Sequence, residues 1–375
     1  MARYSSSVSA HRDLSHQPLA QRRIALVLGG GGMKGFAHIG VLRALAERGI
    51  RPTVYAGTSI GALIAAAAVG GMPIEEMAAR ATSLRRHDLF RVNHMGVLFE
   101  RMRSPSIYLE EPLRRNCEAI VPHARFDELP QPLLVNTVDI DRGTQVVWGL
   151  PGLRDVSVVD AVYASCALPG AFPPGRVNGR VCVDGGVIDN LPVQIAALGE
   201  DAVIAVDVGS SDLTPSSETE RQGFAATYMR SATVMMHALQ QFPLVSWSGP
   251  PMLLIRPRLG HVHWLSFTNT AEIIAEGYRA AIEALESLDA WLAAPGGVFP
   301  RRTVHVEVDR ARCIGCGICV ALAPRVMGLD SERKAFARAH VLDWSPADGE
   351  FVHHCPTAAI TVRGPRGEQV DEAAD

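Results

Sequence analysis

The chain has 375 residues and a formal net charge of −3, because 36 Lys and Arg residues stand against 39 Asp and Glu residues. This near-neutral balance argues against a protein that binds nucleic acid through general electrostatics. With 47% hydrophobic and 20% charged residues the composition is globular, which excludes wholesale disorder, and the length predicts two or three domains. No apolar run reaches the ~18 residues that a membrane-spanning helix needs.

The two ends of the sequence differ from its middle. Residues 1–22 are polar and lack the apolar stretch of a secretory signal, so they predict a disordered leader and a chain that stays in the reducing cytoplasm. Of the seven cysteines, Cys117, Cys166 and Cys182 are scattered, whereas the other four lie within the last 65 residues. This asymmetry indicates a second, C-terminal module.

The first elements in chain order have the pattern of a parallel sheet. The short apolar run Arg23–Leu28 precedes four glycines, a helical pattern that lasts to Gly49, and another short strand at 52–57. A strand, a glycine loop, a helix and a second strand in this order predict parallel pairing. Further helices are predicted from Ser59 to about Gly70 and from Ile74 to about Arg86.

Later strands alternate with helical or loop segments. They are predicted at Leu133–Asp139, Gln145–Trp148, Val181–Val183, Val203–Val208 and Met252–Arg256. The fold class is therefore α/β from residue 23 to 294, followed by a linker at 295–302, a small domain at 303–362 and a disordered tail at 363–375. Ser210–Gln222 reads as a polar surface loop. Leu89–Arg103 mixes large apolar side chains with arginines, which fits either a lid that touches lipid or a helix packed on the sheet.

The pentapeptide Gly57-Thr58-Ser59-Ile60-Gly61 fits G-x-S-x-G between a predicted strand and a predicted helix. In that context a tight turn raises the serine hydroxyl above the sheet, and the first amides of the helix point at the same spot. The motif alone also fits a glycine turn that opens a helix capped by Thr58 or Ser59. Ser59 is therefore a candidate nucleophile, and the neighbouring motifs must distinguish this role from a simple turn.

The loop Gly29-Gly-Gly-Gly-Met-Lys-Gly35 contains a G-x-G-x-x-G match, so a dinucleotide site must be weighed. Such a site needs an acidic residue about 20 positions on, at the end of the second strand, where this chain has Gly57-Thr-Ser59. A Walker A loop is excluded because Lys34 precedes glycine rather than Ser or Thr. The remaining use of these bare amides is an oxyanion hole facing Ser59, with Lys34 stabilising the loop or lending it charge.

Asp184 is the predicted base for the serine. It directly follows an apolar strand and precedes two glycines, where a side chain is presented into a cleft. Unperturbed aspartate, with a pKa of about 3.9, is a weak base, so a Ser–Asp dyad requires a dry pocket. Asp189 and Asn190 are expected to be turn residues, and a turn role is also the alternative for Asp184 itself. The later histidines lie in no recognisable strand-end loop: His237, His261 and His263.

Four sequence blocks, in this order, resemble the patatin-like phospholipase family over residues 24–210 and through to 294. They are the glycine loop through Leu42, Gly57–Gly61, Ala164–Pro174 and Asp184–Pro192. The resemblance implies a three-layer α/β fold with a mainly parallel sheet, Ser59 as nucleophile and Asp184 as its base without a histidine. It implies that hydrolysis needs no cofactor and that the substrates are acyl esters of phospholipids, lysophospholipids or neutral lipids.

The same resemblance implies an oxyanion hole and its support. The amides belong to Gly30, Gly31 and Gly32, and the loop is supported by Lys34 and Gly35. Many members of the family have arginine where this chain has Lys34, and the family tolerates the change.

The C-terminal module has the pattern C-x2-C-x2-C…C-P, with Cys313, Cys316 and Cys319 followed 36 residues later by Cys355. Three thiolates within seven residues suit three corners of an iron–sulfur cube, and the remote cysteine suits the fourth. Zinc sites usually use two separated pairs, and disulfides are not expected in the cytoplasm. Residues 303–362 resemble single-cluster bacterial ferredoxins, which implies a small α+β domain with a [4Fe-4S] cluster, or a [3Fe-4S] form without Cys316 as a ligand.

The two resemblances together imply a serine acyl-ester hydrolase fused to an iron–sulfur domain for electron transfer or redox control. The alternative is an electron carrier or redox sensor whose hydrolase fold is a lipid-binding or regulatory platform. The expected partners are a lipid ester, a redox partner and a peripheral contact with the inner face of a membrane. Nucleic acid is not an expected partner.

Overall fold

The computed structural model describes residues 21–92, 106–209, 243–260, 266–367 and 369–372, together with separate positions between 227 and 263. The predicted leader up to residue 20, the loop Ser210–Gln222 and residues 93–103 of the stretch Leu89–Arg103 lie outside the described residues. Arg22, placed in the leader by sequence, is buried and donates a hydrogen bond to the carbonyl of Leu292. The ordered part of the larger domain therefore includes Arg22.

The larger domain is built on a nine-stranded sheet. Its strands are β1 (Ile24–Leu28), β2 (Val54–Thr58), β3 (Leu133–Asp139), β4 (Thr144–Trp148), β5 (Gly175–Val177), β6 (Arg180–Asp184), β7 (Ala202–Val206), β8 (Met252–Ile255) and β9 (Val298–Phe299). Their order is β5-β6-β3-β2-β1-β7-β8-β9, and β4 also pairs with β3. Six neighbouring strands pair in parallel: β3, β2, β1, β7, β8 and β9. Strands β4, β5 and β6 pair antiparallel. The mainly parallel α/β sheet is thus confirmed.

Helices cover both faces of this sheet, which gives three layers. The α-helices of the larger domain are α1 (Ala37–Glu47), α2 (Ile60–Val69), α3 (Ile74–Ser83), α4 (Arg86–Leu89), α5 (Glu110–Ile120), α6 (Val158–Cys166), α7 (Val193–Ala196), α8 (Thr270–Leu285) and α9 (Leu288–Ala293). Alternate residues of β1 separate the two cores: Leu26 packs in the cluster that holds α1, α2, α6 and α8, and Val27 packs in the cluster that holds α7. None of the described helices has the length and apolar character needed to cross a membrane.

The C-terminal domain contains a four-stranded antiparallel sheet in the order β13-β10-β14-β15 and a β11–β12 hairpin. Its elements are β10 (Arg302–Val308), α10 (Ile318–Leu322), β11 (Met327–Leu329), β12 (Ala335–Ala337), β13 (Leu342–Trp344), α11 (Glu350–His353), β14 (Ile360–Arg363) and β15 (Gln369–Glu372). Strands β10 and β14, from the two ends of this domain, pair antiparallel with each other.

Two predicted boundaries are wrong. The linker predicted at 295–302 contains β9, which pairs with β8, because the apolar pair Val298 and Phe299 is buried at the sheet edge. The tail predicted as disordered from residue 363 contains β15, which pairs with β14. Its polar composition is typical of disordered segments, but main-chain hydrogen bonds to a neighbouring strand are enough to order it.

Candidate functional sites

Ser59 lies in the tight turn between β2 and α2 and has a positive φ of 55° with ψ −128°. The flanking glycines are required by space: an added Cβ would lie 2.5 Å from the Ala62 nitrogen at Gly57 and 2.1 Å from the Leu28 oxygen at Gly61. A non-glycine residue at positive φ stores strain that its surroundings must hold. This geometry matches the strand-turn-helix context in which G-x-S-x-G presents a nucleophile.

The strained turn is fixed from α6 by a second serine. The backbone N–H of Ser59 donates to Ser165 Oγ at 2.8 Å, and Ser165 Oγ donates to the Asn136 carbonyl at 2.7 Å. Ser165 therefore ties the turn to strand β3. No local sequence pattern predicts a role for Ser165 or Asn136, although Ser165 lies inside the block Ala164–Pro174.

Asp184 meets Ser59 at the end of β6. Thr58 pairs with Asn136 and Asp184 pairs with Thr137, so the ends of β2 and β6 lie at consecutive positions of β3. The Ser59 side chain therefore lies beside the Asp184 carboxylate, where its hydroxyl favours the charged form. Burial raises the pKa of Asp184 to about 6, against the opposite effect of hydrogen bonds from the Gly186 N–H, at 2.8 Å, and from Ser59.

The glycine loop lies directly against the serine. An added Cβ on Gly30 would lie 3.2 Å from Ser59 Cβ, and one on Gly31 would lie 2.7 Å from Val208 Cγ2. The Gly30 N–H donates to the Asn190 carbonyl at 3.3 Å, and Asn190 Nδ2 returns a hydrogen bond to the Gly30 oxygen at 3.0 Å. Asn190, expected to be a turn residue, thus also supports the loop.

The remaining loop residues are enclosed by the core. An added Cβ on Gly35 would lie 2.1 Å from Ile60 Cγ2, so this glycine lets the loop pack against the start of α2. Lys34 is only 1% exposed. His38 donates from Nε2 to the Gly29 carbonyl at 2.8 Å, and burial lowers its pKa to about 4, which keeps the imidazole neutral at pH 7.

Ser59, Asp184 and the three loop glycines open onto a cavity of about 320 Å³. Most of the other lining side chains are apolar and come from α2, α3, α4 and α5: Ile60, Leu63, Ile64, Met77, Leu89, Leu113 and Ile120 among them. Phe90 and Phe172 add aromatic rings, with centroids 5.4 Å apart. This volume lies in the range of small-molecule sites, and its lining suits an apolar chain.

Of the three histidine alternatives, the described part of the chain includes one. His263 is exposed, and it does not line the cavity around Ser59. His237 and His261 lie outside the described residues.

The four cysteines of the C-terminal domain line one small cavity together. Cys313 and Cys319 are buried, Cys355 is half-buried and Cys316 is exposed. Burial raises the pKa of the Cys319 thiol, and the charges of the other three cysteines raise it further, so the four sulfurs lie close to one another. Among the described residues, no group of three or more His, Cys, Asp or Glu side chains is arranged to hold a metal ion.

The backbone around these thiols fits an iron–sulfur cluster. Main-chain N–H groups donate to sulfur from Ala335 to Cys313 at 3.4 Å and from Ala359 to Cys355 at 3.3 Å. Such hydrogen bonds stabilise thiolate ligands and tune cluster potentials. Gly317 has a φ of +80°, which lets the chain wrap tightly between the cysteines. The donor set and its surroundings therefore fit four thiolate ligands.

Comparison with known proteins identifies both domains. Residues 26–197 match the family model described as patatin-like phospholipase, and residues 306–362 match a 4Fe-4S single cluster domain. An uncharacterized NTE family protein of Mycobacterium tuberculosis is 35% identical over 199 residues, which are 53% of this chain and 52% of that one. The chain thus spans about half the length of this relative.

Two eukaryotic proteins and one bacterial structure are also similar. Patatin-like phospholipase domain-containing protein 6 of Homo sapiens is 34% identical over 56% of this chain and 15% of its own. Lysophospholipase NTE1 of Mycosarcoma maydis is 30% identical over 79% of this chain and 17% of its own. VipD from Legionella pneumophila has a TM-score of 0.40 at 17% identity, covering 71% of this chain and 67% of its own. Residues 26–197 are thus a patatin-like phospholipase domain, homologous to NTE family proteins, and residues 306–362 are a 4Fe-4S single cluster domain.

Proposed function

We propose that this protein is a serine acyl-ester hydrolase that acts on lipid esters through a Ser59–Asp184 dyad. The observation that carries the proposal is the position of the strained, turn-presented Ser59 beside a carboxylate that burial has made more basic. A base works best when its pKa is near the working pH, and a pKa of about 6 brings Asp184 into that range. Aspartate is a weak base in water, but the buried Asp184 is basic enough to accept the Ser59 proton.

In the proposed reaction Ser59 Oγ attacks the ester carbonyl while its proton passes to Asp184. The developing oxyanion is stabilised by main-chain amides beside Ser59. Because the Gly30 N–H is held by the Asn190 carbonyl, Gly31 and Gly32 are the better donors of the three glycines. The proton on Asp184 then goes to the leaving alkoxide, the acyl group stays on Ser59, and Asp184 activates the water that releases it.

The cavity supports a lipid ester as the substrate. A fatty acyl chain would bury its apolar surface against this lining, and Ser59 lies at the position expected for the ester carbonyl. The names of relatives point the same way, since one is a lysophospholipase and another carries a patatin-like phospholipase domain. Phospholipids, lysophospholipids and neutral lipid esters all fit this description.

Residues beside the cavity support peripheral contact with a lipid surface. Asp88, Leu89 and Phe90 line the cavity, and the adjoining Arg86 and Arg91 are exposed. Exposed apolar side chains lie at and beside the isolated bridge between Val92 and Tyr108: Val92, Ile107 and Leu109. Cationic and apolar groups at one edge favour an anionic bilayer.

The C-terminal domain is proposed to hold a [4Fe-4S] cluster through Cys313, Cys316, Cys319 and Cys355. When bound, the cluster supplies one-electron chemistry. The exposure of Cys316 favours exchange with a partner at that corner, which supports electron transfer or redox control. It equally supports the second candidate function, an electron carrier for which the hydrolase fold is a lipid-binding platform. In that case the assembled dyad would have no use.

The decisive experiment compares Ser59→Ala with Ser266→Ala in the full chain. Ser266 is a matched control, because its hydroxyl bonds only locally to Thr268 and lies outside the cavity lining. We expect Ser59→Ala to lose hydrolysis of soluble and lipid esters and labelling by a fluorophosphonate, and Ser266→Ala to keep both. Labelling that persists in Ser59→Ala would refute the nucleophile.

A further inference from the structure

The chain segment after β7 forms the surface on which the glycine loop lies. The Gly29 N–H donates to the Val206 carbonyl at 3.0 Å. An added Cβ on Gly31 would lie 2.7 Å from Val208 Cγ2 and 3.2 Å from the Val208 oxygen, so the two residues are in contact. Gly209 lines the same cavity as Ser59. The position of the Gly31 amide therefore depends on where residues 206–209 lie.

Asp207 fixes this segment from within. Its N–H donates to the Ile255 carbonyl at 2.9 Å, and its Oδ1 accepts the Gly209 N–H at 3.1 Å. Its Oδ2 accepts a charge-assisted hydrogen bond from Arg256 Nε at 3.2 Å, although the Asp207 side chain is fully buried. Removal of a charged donor leaves a buried carboxylate uncompensated, which destabilises the segment that holds it.

Arg256 also reaches the C-terminal domain. Its Nη1 donates to the Pro346 carbonyl at 2.8 Å. A planar guanidinium can hold both acceptors at once, because its donors point in fixed directions. Beside this contact Ser345 Oγ donates to the Val298 carbonyl at 3.0 Å, a second hydrogen bond between the same two domains that does not touch Asp207.

We propose that Arg256 is a positioning residue through which the C-terminal domain holds Asp207, and with it the Gly31 amide, in place for the reaction oxyanion. This inference rests on the proposed hydrolase function. It assigns the second domain a part in hydrolysis that needs no electron transfer. An oxyanion donor that moves away from its acceptor lowers kcat rather than substrate binding, because it acts on charge that develops only in the transition state.

The test uses Arg256→Gln, Asp207→Asn and the double variant in the full chain. Kinetics are measured with a soluble ester, and affinity with a trifluoromethyl ketone analogue whose adduct on Ser59 carries an oxyanion. We expect each single variant to lower kcat about tenfold with KM within about twofold, since the loss of a whole donor costs about 10²–10³. Ketone affinity should fall in proportion to kcat, and the double variant should be no worse than the single ones, because the two residues act in series.

Ser345→Ala is the matched control, because it removes a hydrogen bond between the same domains without touching Asp207. It should keep wild-type kcat. Wild-type kcat in a folded Arg256→Gln protein would overturn the inference, and so would an equal loss in Ser345→Ala. If Arg256→Gln does not fold, Asp207→Asn gives the same readout with a side chain of the same shape. A wild-type protein without Ser59-dependent hydrolysis would refute the proposed function instead.

Discussion

Thr58 and Asp184 lie end to end along one edge of β3, because Thr58 pairs with Asn136 and Asp184 pairs with the next residue, Thr137. Strand β2 runs parallel to β3 and β6 runs antiparallel to it, so the two strands approach each other head-on. Strand β4 occupies the opposite edge at the same positions. Ser59, one residue beyond Thr58, therefore arrives beside Asp184 by strand register, which is more rigid than a meeting of two loops.

The first prediction is a pH profile with a single acidic limb. Burial raises the pKa of Asp184 to about 6, and only the deprotonated carboxylate can accept the Ser59 proton. We expect kcat/KM for a soluble ester to rise about tenfold per pH unit below pH 6 and to level off above it. Asp184→Asn should lower the plateau by about 10²–10⁴, the usual contribution of a general base.

The control for this profile is the Asp184→Asn protein measured over the same pH range. An asparagine does not titrate, so its residual activity should show no step near pH 6. A step near pH 6 that survives in Asp184→Asn would mean that another group is the base.

The second prediction is that the same substitution stabilises the fold at alkaline pH. The pKa of Asp184 is higher in the folded protein than its ordinary value of 3.8, so the fold favours the protonated form. Stability from this group is complete below about pH 4 and is lost as the pH rises through 6. Neutral asparagine avoids that loss, so Asp184→Asn should raise the free energy of unfolding at pH 8 by up to about 3 kcal/mol, from a shift of about two pKa units.

Urea unfolding at pH 8 and pH 4 measures the effect, which should shrink at the lower pH. Asp139→Asn is the control of opposite sign. Burial alone would raise the pKa of Asp139, but hydrogen bonds from Arg142 and Arg180 lower it, so its charged form stabilises the fold. Asp139→Asn should lose stability at pH 8. A loss of stability in both variants would contradict the prediction that the charged form of Asp184 destabilises the fold.

Local patterns predicted much of this structure, and long-range contacts account for what they missed. The glycine spacing around Ser59 and the apolar run before Asp184 depend on the local backbone. The Ser59 turn and the position of Asp184 at a strand end could therefore be predicted from the sequence. The roles of Ser165 and Asn136 depend on α6 packing beside β3, which no local spacing encodes. The cysteine spacing brings three thiols close together within one short loop, so it predicts their proximity directly. The polar strand β15, by contrast, is ordered by pairing with β14.

The third prediction concerns Ser165, which bonds the N–H of Ser59 and the carbonyl of Asn136. A backbone held at positive φ costs about 1–3 kcal/mol, so the Ser59 turn should relax when this support is removed. We expect Ser165→Ala to lower kcat about tenfold with little change in KM. Ser157→Ala is the control, because Ser157 caps the other end of the same helix, and should cost about 1 kcal/mol of stability but no activity. Equal rate losses in the two variants would point to α6 as a whole.

The fourth prediction tests contact with a lipid surface. An arginine near an anionic bilayer contributes about 1 kcal/mol to binding. The double variant Arg86→Glu with Arg91→Glu should therefore bind vesicles of anionic phospholipid at least tenfold more weakly, while its kinetics on a soluble ester stay unchanged. Arg176→Glu, an exposed site on β5 away from the cavity lining, should bind like wild type. Wild-type binding by the double variant would place the lipid contact elsewhere.

The last prediction concerns metal content. Protein purified without oxygen should be brown and should hold about four irons and four acid-labile sulfides per chain, as four thiolate ligands around one cavity require. Cys355→Ser should lose most of this iron, because Cys355 is the one ligand that comes from outside the Cys313–Cys319 loop. Cys182→Ala, in strand β6 of the larger domain, should retain it. Loss of Cys316 should leave three irons, since its corner is the exposed one. A colourless wild-type protein with one zinc per chain would refute the cluster, and equal iron in the Cys355→Ser and Cys182→Ala proteins would refute the ligand set.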